Sequence, residues 1–223
     1  MTEQRVLKAY DVEISLAVGR DRVWDAVTQP AVLHEWFGWD YDGLAAEIQQ
    51  IFVDQAALLA PERMGWADGS YLEVTGDDEA CRVRAVRQGV TDPGRFDAIE
   101  EGWRAFLLQL RFLLERRPAG RRRTLYLTGE TTGRQALGLA GGTWERLGSR
   151  IAWTTDDDGD LVVVAGHLPL ADPAAARMEV TVSTYGLDDT VFGDRLENWT
   201  ERWAPLAGRA DVVTAGKPAP SGD

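Results

Sequence analysis

Cysteine and histidine are scarce in this chain, and their scarcity excludes several kinds of site. A single cysteine, Cys81, rules out an internal disulfide. It opens a strand-like segment on the same face as Val83 and Ala85, which predicts a small buried hydrophobe rather than a catalytic thiol. Neither of the two histidines has a metal-ligand spacing such as H-E-x-x-H. We therefore expect neither a metal nor another cofactor.

The two histidines differ in their sequence context. His34 lies beside Glu35 in a helical pattern, which favours a position at the surface or at a helix end. His167 follows the apolar run 161–165. That context is compatible with a structural histidine, with a polar anchor in a cavity, or with an acid–base group.

Positive charge and long apolar runs are also lacking. The net charge of −12 argues against a nucleic-acid partner, which needs a basic face. No apolar stretch approaches the roughly 18 residues of a membrane helix, and residues 2–13 lack a signal-peptide core. These features predict a soluble, cytoplasmic protein without membrane insertion. The local arginine cluster, 116–117 and 121–123, predicts a solvated interdomain linker, and the acidic run 156–160 predicts a hairpin turn rather than a calcium loop.

Periodic apolar segments separated by turn residues make up the first half. Residues 10–18 alternate between apolar and polar, which predicts a half-buried strand. Trp103, Phe106 and Leu110 belong to a 3.6-residue pattern that predicts a long helix beginning at Asp92-Pro93. Shorter patterns predict helices over 21–28 and 30–38 and strands over 45–53, 57–59, 71–75 and 81–87.

The second half repeats this order in a shorter form. It is predicted to contain strands over 124–128, 150–155, 160–168 and 177–183, a broken helical region over 133–147, and a closing helix. Residues 92–110 and 188–206 match without a gap at Asp92/Asp188, Phe96/Phe192, Glu101/Glu197, Trp103/Trp199 and Leu110/Leu206. Roughly one chance identity is expected over such a stretch, so the match predicts a duplicated unit. The preceding strands align only after a one-residue slip that pairs Val83 with Val180.

The predicted organisation is a two-domain α+β protein. We assign a first domain to residues 1–117, a linker to 118–123, a shorter and degenerate second domain to 124–208, and a disordered tail to 209–223.

The stretch from Arg22 to Gly38, RVWDAVTQPAVLHEWFG, carries a resemblance to a known family. A strand followed by a "VW-A-T-P--L--WFG" pattern resembles the opening helices of START/Bet v 1-like proteins, in the branch named for homology to activators of a heat-shock ATPase. The resemblance covers roughly residues 8–116. It implies two helix-grip domains, each a curved antiparallel sheet wrapped around a long C-terminal helix. The second half lacks the Trp-Phe-Gly element.

In that family a cavity between sheet and helix binds hydrophobic small molecules. The resemblance therefore implies binding of an extended polyene- or polyketide-type molecule, in a cavity of each domain, in bacterial natural-product biosynthesis or self-resistance. Two alternatives remain open: a cyclase- or hydrolase-like enzyme that uses Tyr, His or Arg groups in the cavity, and a co-chaperone that binds a protein. Whether the chain is an enzyme and whether it has a protein partner are left open.

Aromatic side chains are the candidate cavity lining, because ligand pockets are mostly apolar with a few orienting polar groups. The chain has nine Trp residues. The candidate ligand-binding residues are Trp36, Trp39, Tyr41, Trp66, Tyr71, Arg82, Arg84, Trp103, Phe106, Leu110, His167, Trp199 and Trp203. No catalytic residue is assigned.

Overall fold

The computed structural model describes residues 7–92 and 94–215, and these form an α+β fold with two antiparallel sheets. The first half consists of β1 (Tyr10–Leu16), α1 (Arg20–Thr28), α2 (Pro30–Leu33), α3 (Leu44–Ile48), a π-helical segment (Gln49–Asp54), β2 (Ala57–Ala60), β3 (Arg63–Gly65), β4 (Tyr71–Gly76), β5 (Cys81–Arg87) and α4 (Ala98–Arg116). The second half consists of β6 (Arg122–Thr131), α5 (Gly133–Leu137), β7 (Glu145–Arg146), β8 (Ile151–Thr155), β9 (Leu161–Gly166), β10 (Ala176–Tyr185), α6 (Asp189–Trp203) and β11 (Gly208–Val213). The α+β class is as predicted from the sequence.

Both halves arrange their strands in the same order. The first sheet reads β1-β5-β4-β3-β2, and the second reads β6-β10-β9-β8-β7 with β11 added outside β6. In each half the first strand pairs with the last, and the other strands follow in reverse chain order. A long helix comes directly after the last of these strands in the chain. The two halves therefore share one strand order, and a duplication remains a prediction.

Strand alternation is as predicted in β1. Its residues alternate strictly between buried and exposed, and Val12 and Ile14 pair with Ala85 and Val83 of β5. This places one apolar face against the core and one polar face in solvent. Cys81, at the start of β5, is buried in the same core, and burial raises the pKa of its thiol. It is therefore the small hydrophobe that the sequence predicts.

The long helix α4 starts later than predicted. Its N-cap is Asp97, whose side chain accepts hydrogen bonds from the backbone N–H groups of Ile99 and Glu100 at 3.1 and 3.0 Å. Asp92 lies outside the helix, and Pro93 lies outside the described residues. The helix ends where predicted, at Arg116.

The corrected start changes the register of the repeat. The N-cap of α6 is Asp188, so Asp97 and not Asp92 is its counterpart. Counted from the caps, Leu108 and Phe112 correspond to Trp199 and Trp203. The reason is the connection before each helix: residues 88–96 separate β5 from its cap, whereas residues 186–187 separate β10 from its cap.

Helix α4 lies between the two sheets. It contacts β1 on one side and β8 and β9 on the other. One hydrophobic cluster joins the core of the first half to Ile151, Leu161 and Val163 of the second sheet. A second cluster fills the space between the other face of that sheet and α6. The second sheet is therefore covered on both faces.

Arg122 connects the two halves and is not part of a solvated linker. Its guanidinium is buried and donates to the backbone oxygens of Phe37 and Gly38 at 3.1 and 2.8 Å and to the side chain of Gln109. Burial lowers the pKa of this guanidinium. The Trp-Phe-Gly element of the first half is thus held on the first strand of the second half.

Two further predictions were wrong. Residues 45–53 are helical rather than a strand, because Leu44, Ile48 and Phe52 bury one face at a spacing of four residues. Residues 208–213 form β11, which pairs with β6, so the predicted tail does not begin at 209. Residues 216–223 of that tail lie outside the described residues.

Candidate ligand-binding cavity

A cavity of about 840 Å³ lies between α4 and the face of the second sheet that is turned away from α6. Helix α4 supplies Gly102, Trp103 and Phe106, while β9 and β10 supply Val163 and Thr181. The π-helical segment and the connection 66–70 complete the wall. Both halves therefore line this space, whereas the sequence predicted a separate cavity inside each domain.

Strand alternation explains how the second sheet can build both a core and a cavity wall. Along β10, Val180 and Val182 point into the cluster under α6, while Glu179 and Thr181, which alternate with them, line the cavity. Because successive side chains of a strand point to opposite faces, one strand serves both sides.

An aromatic cluster forms one side of the cavity. The ring of Phe37 lies 4.7 Å from that of Phe106 and 6.5 Å from that of Trp103, and Trp66 lies 6.0 Å from Trp103. The indole N–H of Trp66 donates to the backbone oxygen of Ile51 at 2.8 Å, which ties the π-helical segment to the cavity. Tilted and edge-to-face aromatic pairs of this kind are stabilising and present flat apolar surface.

A second aromatic pair crosses between the halves. Trp39 stacks on Tyr126 of β6, with ring centroids 3.9 Å apart and planes at 3°. The indole N–H of Trp39 is buried and has no hydrogen-bond partner within the described residues. It is a free donor in the wall of an apolar site.

Glu101 is the most buried acidic group of the lining. Glu101 as a whole is 7% exposed, and its Oε1 accepts a hydrogen bond from Arg104 at 3.0 Å. Its Oε2 is buried without a hydrogen-bond partner among the described residues. Burial raises the pKa of this carboxyl group, and Arg104 offsets only part of that effect.

Glu179, Tyr126 and His167 lie together on the cavity wall. Burial, followed by the charge of the Glu179 carboxylate, raises the pKa of Tyr126. His167 Nε2 lies 3.7 Å from Glu179 Oε1. Phe96, from the long connection before α4, stacks on the His167 ring at 4.0 Å.

The structure brings five of the predicted ligand-binding residues together around the cavity. They are Trp39, Trp66, Trp103, Phe106 and His167. Their role in binding remains a prediction, but their shared position is the first observation that supports one.

The other predicted ligand-binding residues do not line the cavity, and they fall into three groups by position. Trp36, Leu110, Trp199 and Trp203 are fully buried core residues, and Trp36 and Trp203 donate to backbone oxygens of Ala26 and Thr128. Arg82 and Arg84 are on the outer face of β5, paired with Glu13, Asp11 and Glu73. Tyr71 packs under Arg63, and Tyr41 donates to Glu47 at 2.8 Å behind the lining.

Sequence reasoning missed two polar residues of the second sheet, one acidic residue of α4 and four aromatic residues. The missed residues are Tyr10, Phe37, Phe96, Glu101, Tyr126, Glu179 and Thr181. For Glu179 and Thr181 the alternation of β10 was visible, but its polar face is expected in solvent when a sheet has one covered face. No local signal reveals that α4 covers the second face.

In residues 7–92 and 94–215, no three or more His, Cys, Asp or Glu side chains gather as a metal site would require. Within the same residues no helix has the length and apolar character needed to cross a membrane. The acidic run forms the predicted turn, in which the Asp156 N–H donates to the Asp160 oxygen at 3.0 Å.

Comparison with known proteins gives little. No protein-family model matches the chain, and no curated protein matches its sequence. Among solved structures it is similar to that of DynU16, a protein of the dynemicin biosynthetic locus, at 16% identity over 87% of this chain and 92% of the other, with a TM-score of 0.34. So low a TM-score does not establish a shared fold.

Proposed function

We propose that the protein binds an extended hydrophobic small molecule in the cavity between α4 and the second sheet. The observation that carries this proposal is a space of about 840 Å³ walled by aromatic and aliphatic side chains. That volume lies in the usual range for small-molecule sites. Burial of about 300 Å² of apolar ligand surface contributes roughly 7 kcal/mol before the costs of association.

The ligand class is proposed from the sequence resemblance. A polyene- or polyketide-type natural product is the ligand that a START/Bet v 1-like protein of this kind would take. The matching strand order of the two halves is compatible with two helix-grip units. The cavity, however, is lined by β1, α4 and the connection 66–70 of the first half together with the second sheet, so the ligand would contact both halves.

Two glycines offer a matched pair of variants to test the cavity. Gly102 and Gly193 are each five residues after the N-cap of their helix. A Cβ at Gly102 meets Phe106 at an ordinary 3.5 Å beside the cavity, whereas a Cβ at Gly193 meets nothing within 4 Å. Leucine at either position improves helix propensity by about 0.8 kcal/mol, so both variants should fold.

The first experiment is native mass spectrometry of the full chain before and after organic extraction, with identification of any co-purified molecule. The second is titration with the neutral dye N-phenyl-1-naphthylamine. Gly102→Leu should reduce dye binding at least about tenfold, because the new side chain occupies the cavity, while Gly193→Leu should bind as the unaltered protein does. Equal binding by all three proteins would mean that this cavity is not the site.

A catalytic role is the second candidate, favoured by the Tyr126, Glu179 and His167 arrangement on the wall. An imidazole 3.7 Å from a carboxylate, with a phenol on the same wall, could supply acid–base groups for a cyclase- or hydrolase-like reaction. Turnover of a bound molecule that fails in His167→Ala and Tyr126→Phe, with dye affinity retained, would support it. Tyr71, Arg82 and Arg84 are not among the described residues that line the cavity. The co-chaperone alternative predicts a filled core, which an open cavity of this size disfavours.

A further inference from the structure

We infer that the cavity selects a hydrophobic molecule carrying a protonated amine and rejects one carrying a carboxylate. This inference rests on the proposed function and adds the charge of the ligand. It comes from the charges that the wall presents and from the aromatic faces beside them.

The charged groups of the lining are acidic. Among the described residues that line the cavity, Glu47, Asp68, Glu101 and Glu179 are carboxylates, His167 is the other charge-bearing candidate, and none is Lys or Arg. A bound carboxylate would therefore lose its hydration without gaining a cationic partner. Burying an unpaired charge is strongly unfavourable.

The cations that balance these carboxylates stand outside the lining. Arg104 holds one oxygen of Glu101, and Arg177 lies 3.6 Å from Glu179. Glu47 accepts a hydrogen bond from the hydroxyl of Tyr41, and burial, followed by this contact, raises the pKa of Tyr41 to about 12. What a ligand would meet is carboxylate oxygen rather than guanidinium.

Glu101 is the group we assign to the amine. Its side chain is 9% exposed, it lines the cavity, and its Oε2 has no hydrogen-bond partner in the described part of the chain. A buried acceptor left unpaired costs free energy that a donating ammonium would recover. The unpaired oxygen is thus an observation independent of the surrounding negative charge.

Aromatic rings that line the same cavity as Glu101 would add to the same preference. Trp103 and Phe106 follow it on α4, and Trp66 lies 6.0 Å from Trp103. Cations bind the faces of such rings, and Trp is the strongest partner. The carboxylate and the rings therefore favour one type of head group, while the remaining apolar wall takes the hydrocarbon.

The test compares three probes with the same chain and different head groups: decylamine, decanol and decanoate. Each displaces N-phenyl-1-naphthylamine from the full-length protein at neutral pH. We expect decylamine to bind at least about tenfold more tightly than decanol, and decanoate more weakly than decanol. The cavity-specific part of each signal is the part that Gly102→Leu removes, which excludes general attraction of cations to an acidic protein.

Amide variants of the lining carboxylates test which of them binds the amine. Glu101→Gln should reduce the preference for amine over alcohol about tenfold while leaving decanol within about twofold. Glu179→Gln is the second variant, needed if Glu101→Gln disturbs the start of α4. Glu197→Gln, on the exposed side of α6, should change nothing.

The outcomes separate the two proposals. If the dye and all three probes fail to bind, the proposed function is wrong. If they bind but decanoate equals decylamine, the cavity is a binding site and the inferred charge selection is wrong. If the amine preference persists in both Glu101→Gln and Glu179→Gln, the assignment to these carboxylates is overturned.

Discussion

The two long helices, α4 and α6, close similar units but face different surroundings. Counted from their N-caps, Leu108 and Phe112 of α4 are buried just as Trp199 and Trp203 of α6 are. On the opposite side the helices diverge. Trp103 and Phe106 of α4 line the cavity, whereas their counterparts in α6, Asp194 and Glu197, are exposed.

The difference shows where the cavity comes from. Trp103 and Phe106 meet the ring of Phe37 from the first half, and β9 and β10 of the second sheet line the same space. Phe112 stacks on Tyr185 of the second sheet, so α4 packs against both sheets, whereas the residues of α6 that correspond to the cavity lining are exposed. The site is therefore lined by both halves of the chain.

A large loss of stability should come from breaking the contact between the halves. Arg122→Met is expected to lower the free energy of unfolding by about 3 kcal/mol or more, because it leaves the backbone oxygens of Phe37 and Gly38 buried without a donor. Urea denaturation measures this. Arg121→Met, at an exposed position next to it, should change stability by less than about 0.5 kcal/mol. Similar small losses in both variants would contradict the role given to Arg122.

Removing a tryptophan from each helix sharpens the comparison. Trp199→Ala should lower the free energy of unfolding by about 3–5 kcal/mol, because it empties a fully packed core, and should leave dye binding intact. Trp103→Ala should cost less stability, since Trp103 already borders open space, but should weaken dye binding. Denaturation and dye titration of both variants provide the check. Loss of dye binding in folded Trp199→Ala would count against a cavity confined to α4.

The hairpin of the second half predicts a pH effect. Burial and the neighbouring Asp156 raise the pKa of Asp160 to about 7, despite Arg195 at 3.5 Å. The folded state then holds a proton that the unfolded state loses near pH 4, so this group's stabilising contribution declines as pH rises from about 4 to 7. Asp160→Asn should therefore stabilise the protein by about 1 kcal/mol at pH 8 and by less at pH 5.

A neighbour provides the control for this prediction. Arg195 lowers the pKa of the more exposed Asp158, so Asp158→Asn should destabilise slightly at pH 8. Urea midpoints at the two pH values measure both variants. If Asp160→Asn destabilises equally at pH 5 and pH 8, the carboxyl is ionised throughout and the buried-acid interpretation is wrong.

The smallest effect concerns stability in the glycine pair. Gly102→Leu and Gly193→Leu should each raise the free energy of unfolding by up to about 0.8 kcal/mol, because both replace glycine inside a helix. Thermal denaturation of the ligand-free proteins measures this. A marked loss of stability in Gly102→Leu alone would show that the space beside α4 is tighter than its contacts indicate.

Sequence periodicity predicted β1, α1 and the end of α4 because each depends on local spacing. The start of α4 differs from the prediction although a signal is present: Asp97 precedes Glu100 by three residues, as in a capping box, whereas the prediction rests on Asp92-Pro93 as an N-cap followed by proline. The helix over 44–54 stands where a strand over 45–53 is predicted. Its buried residues recur every four positions, which is helical spacing.

The cavity itself depended on non-local packing. Trp66 and Trp103 were predicted from their size, but size alone could not separate them from Trp36 or Trp199, which fill cores. Tyr126 and Glu179 belong to a polar strand face that becomes a wall when α4 packs against it. That contact joins residues far apart in the chain, and the periodicity of neither α4 nor the strands predicts it.

The two-sided β10 has a consequence for how binding preference could be altered. Val180 and Val182 maintain the core under α6, while Glu179 and Thr181 face the ligand space. A library that varies only positions 179 and 181 would explore new selectivities against a constant scaffold. A library that varies positions 180 and 182 would disturb the core and lower solubility and yield without changing the cavity wall. The residues of β10 that can be redesigned thus alternate with those that must be kept.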